Sequence, residues 1–545
     1  MKAPMLNFRP MYRGLYLLLL SLSLWFSSGL EAQEPRYYIH TALQSDTLIG
    51  IANRYLIKRN DWQAIKSVNK IENPNRIPVG TRIKIPVTLM RTELINAEVI
   101  ALQGQVESSN GVLAVGSSVG EGDKLKTGSN GFVSIRLADG SILKVQSKSS
   151  IQLENARQLA NTGGVGDTVV KLEQGRVETS VTKQKGSGAR YEIRTPTSNM
   201  GVRGTVFRVG SDDTGRRALS EVVEGMVDVG STGQAKILTL PAGFGTVVEA
   251  GKPPSAPISL LPAPDLSAVA TVASKPQIRI QFPALALAQG YRGQVATDAA
   301  FTNLIMDATA MLPMIDLVNL PDGQLFLRVR GFDQNGLEGK DATKSLLLKA
   351  TPRPPLLSYP ADNAQVSSGQ ARFEWVNSAE AVGYLIQIDH NAAFTTPFIN
   401  KKIIAGRVFT PETPLAPGQY QWRVASVRGN GDVGPFSEAQ FFMVRDAAIK
   451  LDIPNIKGGD ARFSWSGKPG QFYQFQLSRT ERFSKIVADR VVDKTEVVID
   501  GLAKNVYYIR VRAVDKPVVK STDAATEYKG VWSDTVQVEI YGSIF

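Results

Sequence analysis

The chain has 545 residues, of which 43% are apolar and 21% are charged. This length exceeds what one hydrophobic core supports, so we expect several domains, and the balance of residue types excludes a largely disordered chain. The absence of cysteine excludes disulfides, thiol catalysis and anchoring through a lipidated cysteine. The formal net charge of +12 either favours an anionic partner or serves solubility alone.

The N-terminus is typical of an export signal. Basic residues precede an apolar run, Leu15–Phe26, and Ala32 follows as a cleavage position. The run has about half the length of a membrane span, so we predict a signal peptide over residues 1–32, no membrane span after its cleavage, and a location in the periplasm or cell envelope. An uncleaved anchor is the alternative. Because an exported protein rarely meets nucleic acid, we expect the positive charge to favour an anionic wall polymer or lipid headgroups instead.

Residues 37–87 have the pattern strand, helix, helix, strand. A short strand over 37–41 is followed by Asp46 and Thr47, which are suited to cap a helix. After the turn at Asn73-Pro74, the alternating segment TRIKIP predicts the second strand. The helices are predicted from apolar residues at helical spacing: Leu48, Ile51, Ala52 and Tyr55, then Trp62, Ile65 and Val68.

This module resembles a LysM domain in the entry SDTLIGIANRY, in Asn69 and in the exit NPNRIPVGTRIKIP. The family usually has Gly-Asp-Thr where this chain has Ser45-Asp46-Thr47. The resemblance implies binding of N-acetylglucosamine-containing glycan, peptidoglycan in bacteria, in a shallow groove between two loops. The implied glycan-binding residues are Ser45, Asp46, Thr47 and Leu48 in the first loop and Ile71, Glu72, Asn73 and Pro74 in the second. The alternative is that Asp46 and Thr47 only cap the helix.

Residues 97–230 have a purely β pattern. The phrase Leu-x-x-Gly-x-Ile at Leu137 recurs as Leu-x-x-Gly-x-Val at Leu172 and as Val-x-x-Gly-x-Val at Val222. Because Asp139-Gly140 in the first phrase is a strong hairpin signal, the recurrence predicts three spaced hairpins. One hairpin cannot bury its apolar face alone, so we expect a stack of strands, with a solenoid-like arrangement as one option.

The same region resembles the FecR domain, in GDKLKTGSNGFVSIRLADGSILKV, LEQGRVETSV, YEIRTPTSNMGVRGTVFRV and VVEGMVDV. The best-known members of this family are inner-membrane signal transducers with a transmembrane helix and a cytoplasmic domain that controls a sigma factor. Here a LysM-like module lies where those parts would be. The resemblance therefore implies only the extracytoplasmic β-module, and an extracytoplasmic sensor related to these transducers is an alternative function.

The glycine-containing stretch RTPTSNMGVRGT, residues 194–205, lacks the spacing and the lysine of a phosphate loop. We expect Gly201 and Gly204 to permit backbone conformations or a close approach that a side chain would forbid. Thr195-Pro196 is expected to break pairing between the strands YEIR and TVFRV. For Arg203 we expect a structural hydrogen bond.

The C-terminal half contains a repeat. Residues 241–264 hold six prolines and predict a linker or strand lead-in. Three copies follow, over residues 265–350, 352–446 and 447–542. Each has a tyrosine followed ten positions later by a phenylalanine: Tyr291 and Phe301, Tyr384 and Phe394, Tyr473 and Phe483.

A later strand in each copy, LFLRVRG, YQWRVAS or YYIRVRA, alternates between two faces. Its apolar positions are predicted to point inward: Leu325, Leu327 and Val329; Tyr420, Trp422 and Val424; Tyr507, Ile509 and Val511. Its arginines are predicted to point outward, onto a solvated face or a stripe for anionic polymer: Arg328, Arg330, Arg423, Arg510 and Arg512. The copies resemble fibronectin type III domains, which implies β-sandwiches that act as spacers or protein-binding modules.

Catalysis is not expected. The two histidines, His40 and His390, fall in different modules, and with no cysteine they exclude the usual triads and zinc sites of wall hydrolases. A carboxylate glycosidase would need only two acids, but the lytic enzymes of this kind are largely helical, and no long helical pattern follows residue 70. We therefore expect no cofactor and no metal, and a wall hydrolase is the least favoured function.

The predicted fold class is thus mainly β and multidomain: a small βααβ LysM domain, an all-β FecR-like domain and three fibronectin type III-like β-sandwiches. The leading functional hypothesis is a non-catalytic exported protein that binds peptidoglycan and serves as an envelope scaffold for an unidentified envelope protein.

Overall fold

The computed structural model describes residues 35–184, 186–202, 204–404, 406–445, 449–457, 460–468, 470–514, 530 and 532–541. The predicted signal peptide lies outside the described residues. The chain is mainly β and forms two compact units. The first contains the LysM-like module, the FecR-like module and the first sandwich, and the second contains the other two sandwiches. No helix among the described residues has the length and apolar character needed to cross a membrane.

The LysM-like module has the predicted order of elements. Strand β1 pairs antiparallel with β2, with Tyr37 opposite Pro86. The residues predicted from helical spacing in α1 are those that are buried, because they form one face of the helix. The elements are β1 (Tyr37–Thr41), α1 (Leu48–Tyr55), α2 (Trp62–Asn69) and β2 (Arg82–Pro86), with short 3-10 helices at Arg59–Asp61 and Val87–Leu89.

The LysM-like module shares its core with the FecR-like module. Leu159 and Val165, which flank the turn between two FecR-like strands, are buried in the same apolar cluster as the helices of the LysM-like module. Arg36 binds Asp167 across this junction, with 3.2 Å between Nη1 and Oδ1. The backbone N–H of Ile39, in β1, donates to the Ser187 hydroxyl at 2.6 Å.

The FecR-like module consists of two sheets that share one long strand, β11. The first part of β11 pairs with β10 and β12, and the last part, from Gly175 onward, pairs with β9 and β14. Buried residues from both sheets form one core. The strands are β3 (Thr92–Leu94), β4 (Ala97–Gln103), β5 (Val106–Ser108), β6 (Ser118–Val119), β7 (Lys124–Thr127), β8 (Phe132–Arg136), β9 (Ile142–Val145), β10 (Ser150–Leu159), β11 (Gly166–Ser180), β12 (Arg190–Arg194), β13 (Ser198–Val202), β14 (Val206–Ser211), β15 (Arg217–Glu224), β16 (Met226–Ser231), β17 (Ile237–Pro241), β18 (Phe244–Glu249) and β19 (Ile258–Ser259).

The recurring glycine phrase marks one hairpin rather than three. Gly140 lies in the hairpin between β8 and β9, as predicted. Gly175 instead lies within β11, where that strand passes from one sheet to the other, and Gly225 separates β15 from β16, which belong to different sheets. All three glycines have positive φ angles, from 80° to 89°. The phrase identifies a sharp change of backbone direction, and only tertiary pairing decides where the chain goes next.

The proline-rich stretch 241–264 is not a free linker. Strand β18 pairs with β15, and β19 pairs with β18, so both extend the FecR-like module beyond residue 230. The count of six prolines is misleading because none lies between Pro241 and Pro253, which leaves β18 with every backbone donor that a sheet requires.

Each of the three C-terminal copies contains two sheets. In the third copy, β36, β37 and β40 face a sheet of order β39-β38-β41-β42, and the second copy has an equivalent division. In the first copy β22 lies between β23 and β25, and β21 pairs with β24. Their strands are β20 (Val272–Ala273), β21 (Gln277–Gln281), β22 (Gly290–Ala296), β23 (Leu304–Ala310), β24 (Met314–Val318), β25 (Gly323–Phe332) and β26 (Ala342–Leu348); β27 (Leu357–Tyr359), β28 (Ala364–Ser367), β29 (Phe373–Trp375), β30 (Gly383–Asp389), β31 (Ile399–Ile404), β32 (Val408–Phe409), β33 (Gly418–Val427), β34 (Val433–Phe436) and β35 (Gln440–Arg445); β36 (Asn455–Lys457), β37 (Asp460–Ser464), β38 (Phe472–Ser478), β39 (Ile486–Val492), β40 (Glu496–Ile499), β41 (Asn505–Val514) and β42 (Val536–Ile540).

Candidate functional site

The two loops predicted to form the glycan groove lie side by side. The backbone N–H of Leu48, at the start of α1, donates to the carbonyl oxygen of Pro74 at 2.8 Å. This bond joins the loop before α1 to the loop after α2, so the predicted residues come from two chain segments held at hydrogen-bond distance. The two loops therefore form a continuous surface.

Asp46 is a structural residue of the first loop. Its side chain is buried, with 2.7 Å between Oδ2 and His40 Nε2, and it accepts the backbone N–H of Leu43 at 2.9 Å. Burial disfavours the charged form, but the Leu43 bond, His40 and Arg54 together lower the pKa of Asp46. The carboxylate is already occupied, so Asp46 stabilises the loop and does not offer its side chain to a ligand.

The next two residues also have local roles. The Thr47 hydroxyl accepts the backbone N–H of Gly50 at 3.1 Å and caps α1. The Leu48 side chain is completely buried in the core. Because the apolar side chain of Leu48 fills the interior, the predicted glycan contact at Leu48 would involve its backbone.

The remaining predicted residues are accessible. Ser45, Glu72 and Asn73 are exposed, and Ile71 and Pro74 are half-buried. Ser45 has a φ of 70°, a left-handed conformation that turns the chain into the helix cap. A surface of short polar groups beside an aliphatic side chain suits sugar hydroxyls and an N-acetyl methyl group.

The Asn69 side chain connects helix α2 to strand β2. Its side-chain amide donates to the Lys84 carbonyl and accepts the Lys84 N–H, both at 2.7 Å, and it also donates to the Ile65 carbonyl. These bonds fasten the end of α2 to strand β2. The sequence pattern singled out Asn69 as part of the LysM resemblance, but its spacing carries no signal for this pairing.

The stretch 194–205 forms a hairpin and a bend rather than a ligand loop. Strand β12 pairs with β13, with Arg194 opposite Asn199, so Thr195-Pro196 lies in the turn between these two strands. YEIR, in β12, pairs with β11 and β13, whereas VFRV, in β14, pairs with β11 and β15. The Thr195 hydroxyl accepts the Ser198 N–H at 2.9 Å and closes the turn. Gly204 has a φ of 111°, as expected, whereas a Cβ on Gly201 would meet no atom within 4 Å. Arg203 lies outside the described residues.

The outward-facing arginines of the first sandwich are not solvated. Arg328 and Arg330 are on the predicted face of β25, but they are buried against the FecR-like module. Arg328 Nη1 donates to Glu178 Oε1 at 3.0 Å, and Lys144 Nζ donates to the same oxygen at 3.2 Å. Burial disfavours ionisation of Glu178, but these cations hold the pKa of its carboxyl well below its usual range.

The buried charges extend into a larger cluster, which we call the charged interface. Arg292 Nη1 donates to Glu338 Oε1 at 2.8 Å, and the Glu338 backbone N–H donates to Glu221 Oε1 at 3.1 Å. Burial raises the pKa of Glu221, and the nearby charge of Glu338 raises it further. The charged interface contains Lys144, Arg176, Glu178, Arg208, Glu221, Arg292, Arg328, Arg330, Glu338 and Asp341.

The corresponding arginines of the other two sandwiches are held within their own modules. The guanidinium of Arg423 lies 4.1 Å from the Phe394 ring centroid and 4.3 Å from that of Phe436. Its Nη2 donates to Gln387 Oε1 at 2.7 Å. Arg510 has the same arrangement with Phe483, Trp532 and Gln476. These contacts favour a structural role over a stripe for anionic polymer.

The described residues contain no group of three or more histidines, cysteines, aspartates or glutamates arranged to hold a metal ion. His40 is bound to Asp46, and His390 Nδ1 lies 2.9 Å from the carbonyl oxygen of Gln419, in the second sandwich.

Family comparison identifies two modules. Residues 40–86 match the family described as LysM domain, and residues 123–228 match the family described as FecR protein. No curated protein matches the chain.

Solved structures resemble parts of the chain loosely. Two crystal structures of "a putative anti-sigma factor from Parabacteroides distasonis" align with 15% and 14% identity and a TM-score of 0.21, covering 25% of this chain and 59% of that one. This chain thus spans less than two thirds of the length of that protein. The FN1-FN3 domains of chicken CNTN1 align with 14% identity and a TM-score of 0.17, covering 51% of this chain and 98% of theirs. At these scores the likenesses carry no argument.

Proposed function

We propose that the chain is a non-catalytic protein of the cell envelope that binds peptidoglycan through the LysM-like module. The observation that carries the proposal is the pairing of the two groove loops through Leu48 and Pro74, with Ser45, Glu72 and Asn73 exposed beside it. The match of residues 40–86 to the LysM family supports the same ligand. Backbone groups and short polar side chains of this surface would contact the N-acetylglucosamine residues.

The remaining modules would act as a scaffold. The FecR-like module shares a core with the LysM-like module, and the charged interface joins the FecR-like module to the first sandwich. In this proposal the three fibronectin-like sandwiches act as spacers or contact an envelope protein, and residues 1–32 direct export to the periplasm and are then cleaved.

Binding to purified peptidoglycan sacculi tests the proposal. Deletion of the LysM-like module would expose Leu159 and Val165, so point substitutions are preferable. Ile71→Ala combined with Glu72→Ala alters the groove, whereas Ile57→Ala combined with Glu93→Ala makes the same change at exposed sites on the FecR-like side. We expect the groove variant to bind about tenfold more weakly, equivalent to about 1.4 kcal/mol, and the control variant to bind like the parent. Equal binding by both variants would contradict the proposal.

An extracytoplasmic sensor related to the FecR transducers is the second candidate, favoured by the match over residues 123–228. A sensor of that kind needs a cytoplasmic end. A reporter fused to the N-terminus should be active in the cytoplasm if this candidate is correct and inactive there if the chain is fully exported. The least favoured candidate, a wall hydrolase, predicts soluble muropeptides after incubation of the protein with sacculi.

A further inference from the structure

The LysM-like module carries an unbalanced charge. Residues 37–87 contain eight lysines and arginines against three acids, a difference of five. One of the acids, Asp46, is buried and bound to His40 and Arg54. The exposed surface of the module is therefore cationic.

Four of these cations lie around one edge of the module. Lys66 and Lys70 belong to the end of α2, and Arg82 and Lys84 project from the outer face of β2, opposite the buried Ile83. The Asn69 amide holds the two elements together through the Lys84 backbone. We call Lys66, Lys70, Arg82 and Lys84 the cationic edge. Within the described part of the chain none of the four forms an ion pair with an acidic side chain.

The cationic edge faces away from the FecR-like module. In the two-stranded sheet, β1 has β2 on one side and the FecR-like residue Ser187 on the other, where the Ile39 N–H donates to its hydroxyl. Strand β2 is therefore on the far side of β1 from that contact. The cations on β2 and at the end of α2 therefore lie away from that contact, and Lys84 Nζ is 5.8 Å from the Tyr37 ring centroid.

The cationic edge also adjoins both groove loops. The Ile71 N–H, in the second loop, donates to the Lys66 carbonyl at 3.1 Å. Arg82 is opposite Thr41, the last residue of β1, from which the first loop begins. A glycan in the groove would therefore place its substituents within reach of these cations.

We propose that the cationic edge binds the carboxylates of the peptide stems that peptidoglycan carries, while the groove holds the sugars. This inference rests on the proposed function. N-acetylglucosamine is neutral and gives the cations no partner, whereas the stem peptides present several carboxylates close to the glycan. Lysine and arginine on an exposed surface attract such groups through an interaction that salt screens.

The test compares three ligands with the full chain: purified sacculi, the same sacculi with their carboxylates converted to amides, and a neutral N-acetylglucosamine oligomer. We expect binding to intact sacculi to be about tenfold tighter than to amidated sacculi in about 50 mM salt, and this difference to disappear near 500 mM salt. Binding of the neutral oligomer should not depend on salt.

A charge variant locates the effect. Replacing the cationic edge with Lys66→Gln, Lys70→Gln, Arg82→Gln and Lys84→Gln should abolish the preference for intact sacculi and leave oligomer binding unchanged. The control removes three lysines and one arginine from exposed sites of the FecR-like module, by Lys126→Gln, Lys183→Gln, Arg216→Gln and Lys236→Gln. It should behave like the parent.

Each other outcome is decisive. Equal, salt-independent binding to intact and amidated sacculi, with oligomer binding retained, would overturn the role of the cationic edge and leave the sugar groove standing. No binding to any of the three ligands would instead remove the proposed function. Loss of oligomer binding in the cationic-edge variant, or tighter binding to vesicles containing phosphatidylglycerol than to sacculi, would also overturn the inference.

Discussion

At the scale of single residues, two glycines of the FecR-like module have unequal roles. Gly175 has a φ of 89°, and a Cβ there would lie 2.3 Å from Ser149 Oγ and 2.5 Å from Ser149 Cα. Gly201 lies in an ordinary strand, where a Cβ would meet no atom within 4 Å. The first glycine is required by the passage of β11 between sheets, and the second is not required by space or by backbone conformation.

We therefore expect Gly175→Ala to lower the free energy of unfolding by about 1–3 kcal/mol through backbone strain alone, with the steric clash adding to this. Gly201→Ala should change it by less than about 0.5 kcal/mol. Urea denaturation of both variants provides the measurement. A similar effect of the two substitutions would show that the bend at Gly175 does not determine stability.

Asp46 provides a second prediction at this scale. Asp46→Asn removes the charge that His40 and Arg54 compensate. We expect the free energy of unfolding to fall by about 1–3 kcal/mol. Because the pKa of Asp46 is lowered by folding, its contribution is present above the ordinary aspartate pKa and is lost as the pH falls through the folded value. Asp61→Asn is the matched control, since the Asp61 side chain makes no capping bond. Urea denaturation at neutral pH compares the two variants. An unchanged free energy of unfolding for Asp46→Asn would refute the structural role of Asp46.

At the scale of elements, one equivalent position differs between the first two sandwiches beside their strand arginines. Phe436 follows Val424 by the same number of residues as Asp341 follows Val329. In the second sandwich Phe436 stacks on Arg423. In the first sandwich Asp341 accepts a hydrogen bond from Arg330 at 2.9 Å, and Glu178 of the FecR-like module covers the neighbouring Arg328.

The charged interface should consequently depend on each partner. Glu178→Gln leaves Lys144 buried without its counter-charge and, among the described residues, leaves Arg328 with only its 3.5 Å ion pair to Asp341. We expect the free energy of unfolding to fall by about 3–5 kcal/mol. Glu98→Gln removes one partner of the exposed pair with Arg136 and should cost no more than about 1 kcal/mol. Thermal unfolding of both variants, monitored by hydrogen exchange of peptides from the first sandwich, distinguishes the two substitutions. An equal loss of stability in the two variants would mean that water screens the charged interface.

At the scale of the whole molecule, the two compact units differ in their buried acids. Glu178, Glu338 and Asp341, all in the first unit, have pKa values lowered by surrounding arginines despite the opposing effect of burial. Their ordinary values are 4.5 for glutamate and 3.8 for aspartate. Stability from these groups is present above those values and is lost as the pH falls below them, because the unfolded chain then binds more protons. The pKa of Glu221 is raised, so its ionisation destabilises the folded chain and its protonation in acid has the opposite effect. The three acids with lowered pKa values outnumber this one.

Acid should therefore destabilise the first unit more than the second. We expect peptides from residues 97–347 to lose protection against hydrogen exchange between about pH 5 and about pH 3, after correction for intrinsic rates, while peptides from 383–427 retain theirs. Hydrogen exchange with mass spectrometry on the intact chain measures both sets at once. Parallel loss of protection in both sets would contradict the assignment.

The sequence by itself determined the local elements and the apolar faces of this protein. Helical spacing identified the buried face of α1, and strict alternation identified Leu325, Trp422 and Ile509 as core residues, because burial follows the period of each element. The family resemblances of the first two modules were likewise carried by short contiguous motifs.

Only the tertiary structure decided what covers the opposite faces. Alternation placed Arg328 on the outer side of its strand correctly, but the face that meets solvent in an isolated module is buried here by residues about 150 positions away in the chain. The same applies to Gly175 and to β18, whose pairing partners are distant in sequence. Periodicity reports which side of an element a residue occupies, whereas the identity of the neighbour depends on long-range packing that no local pattern encodes.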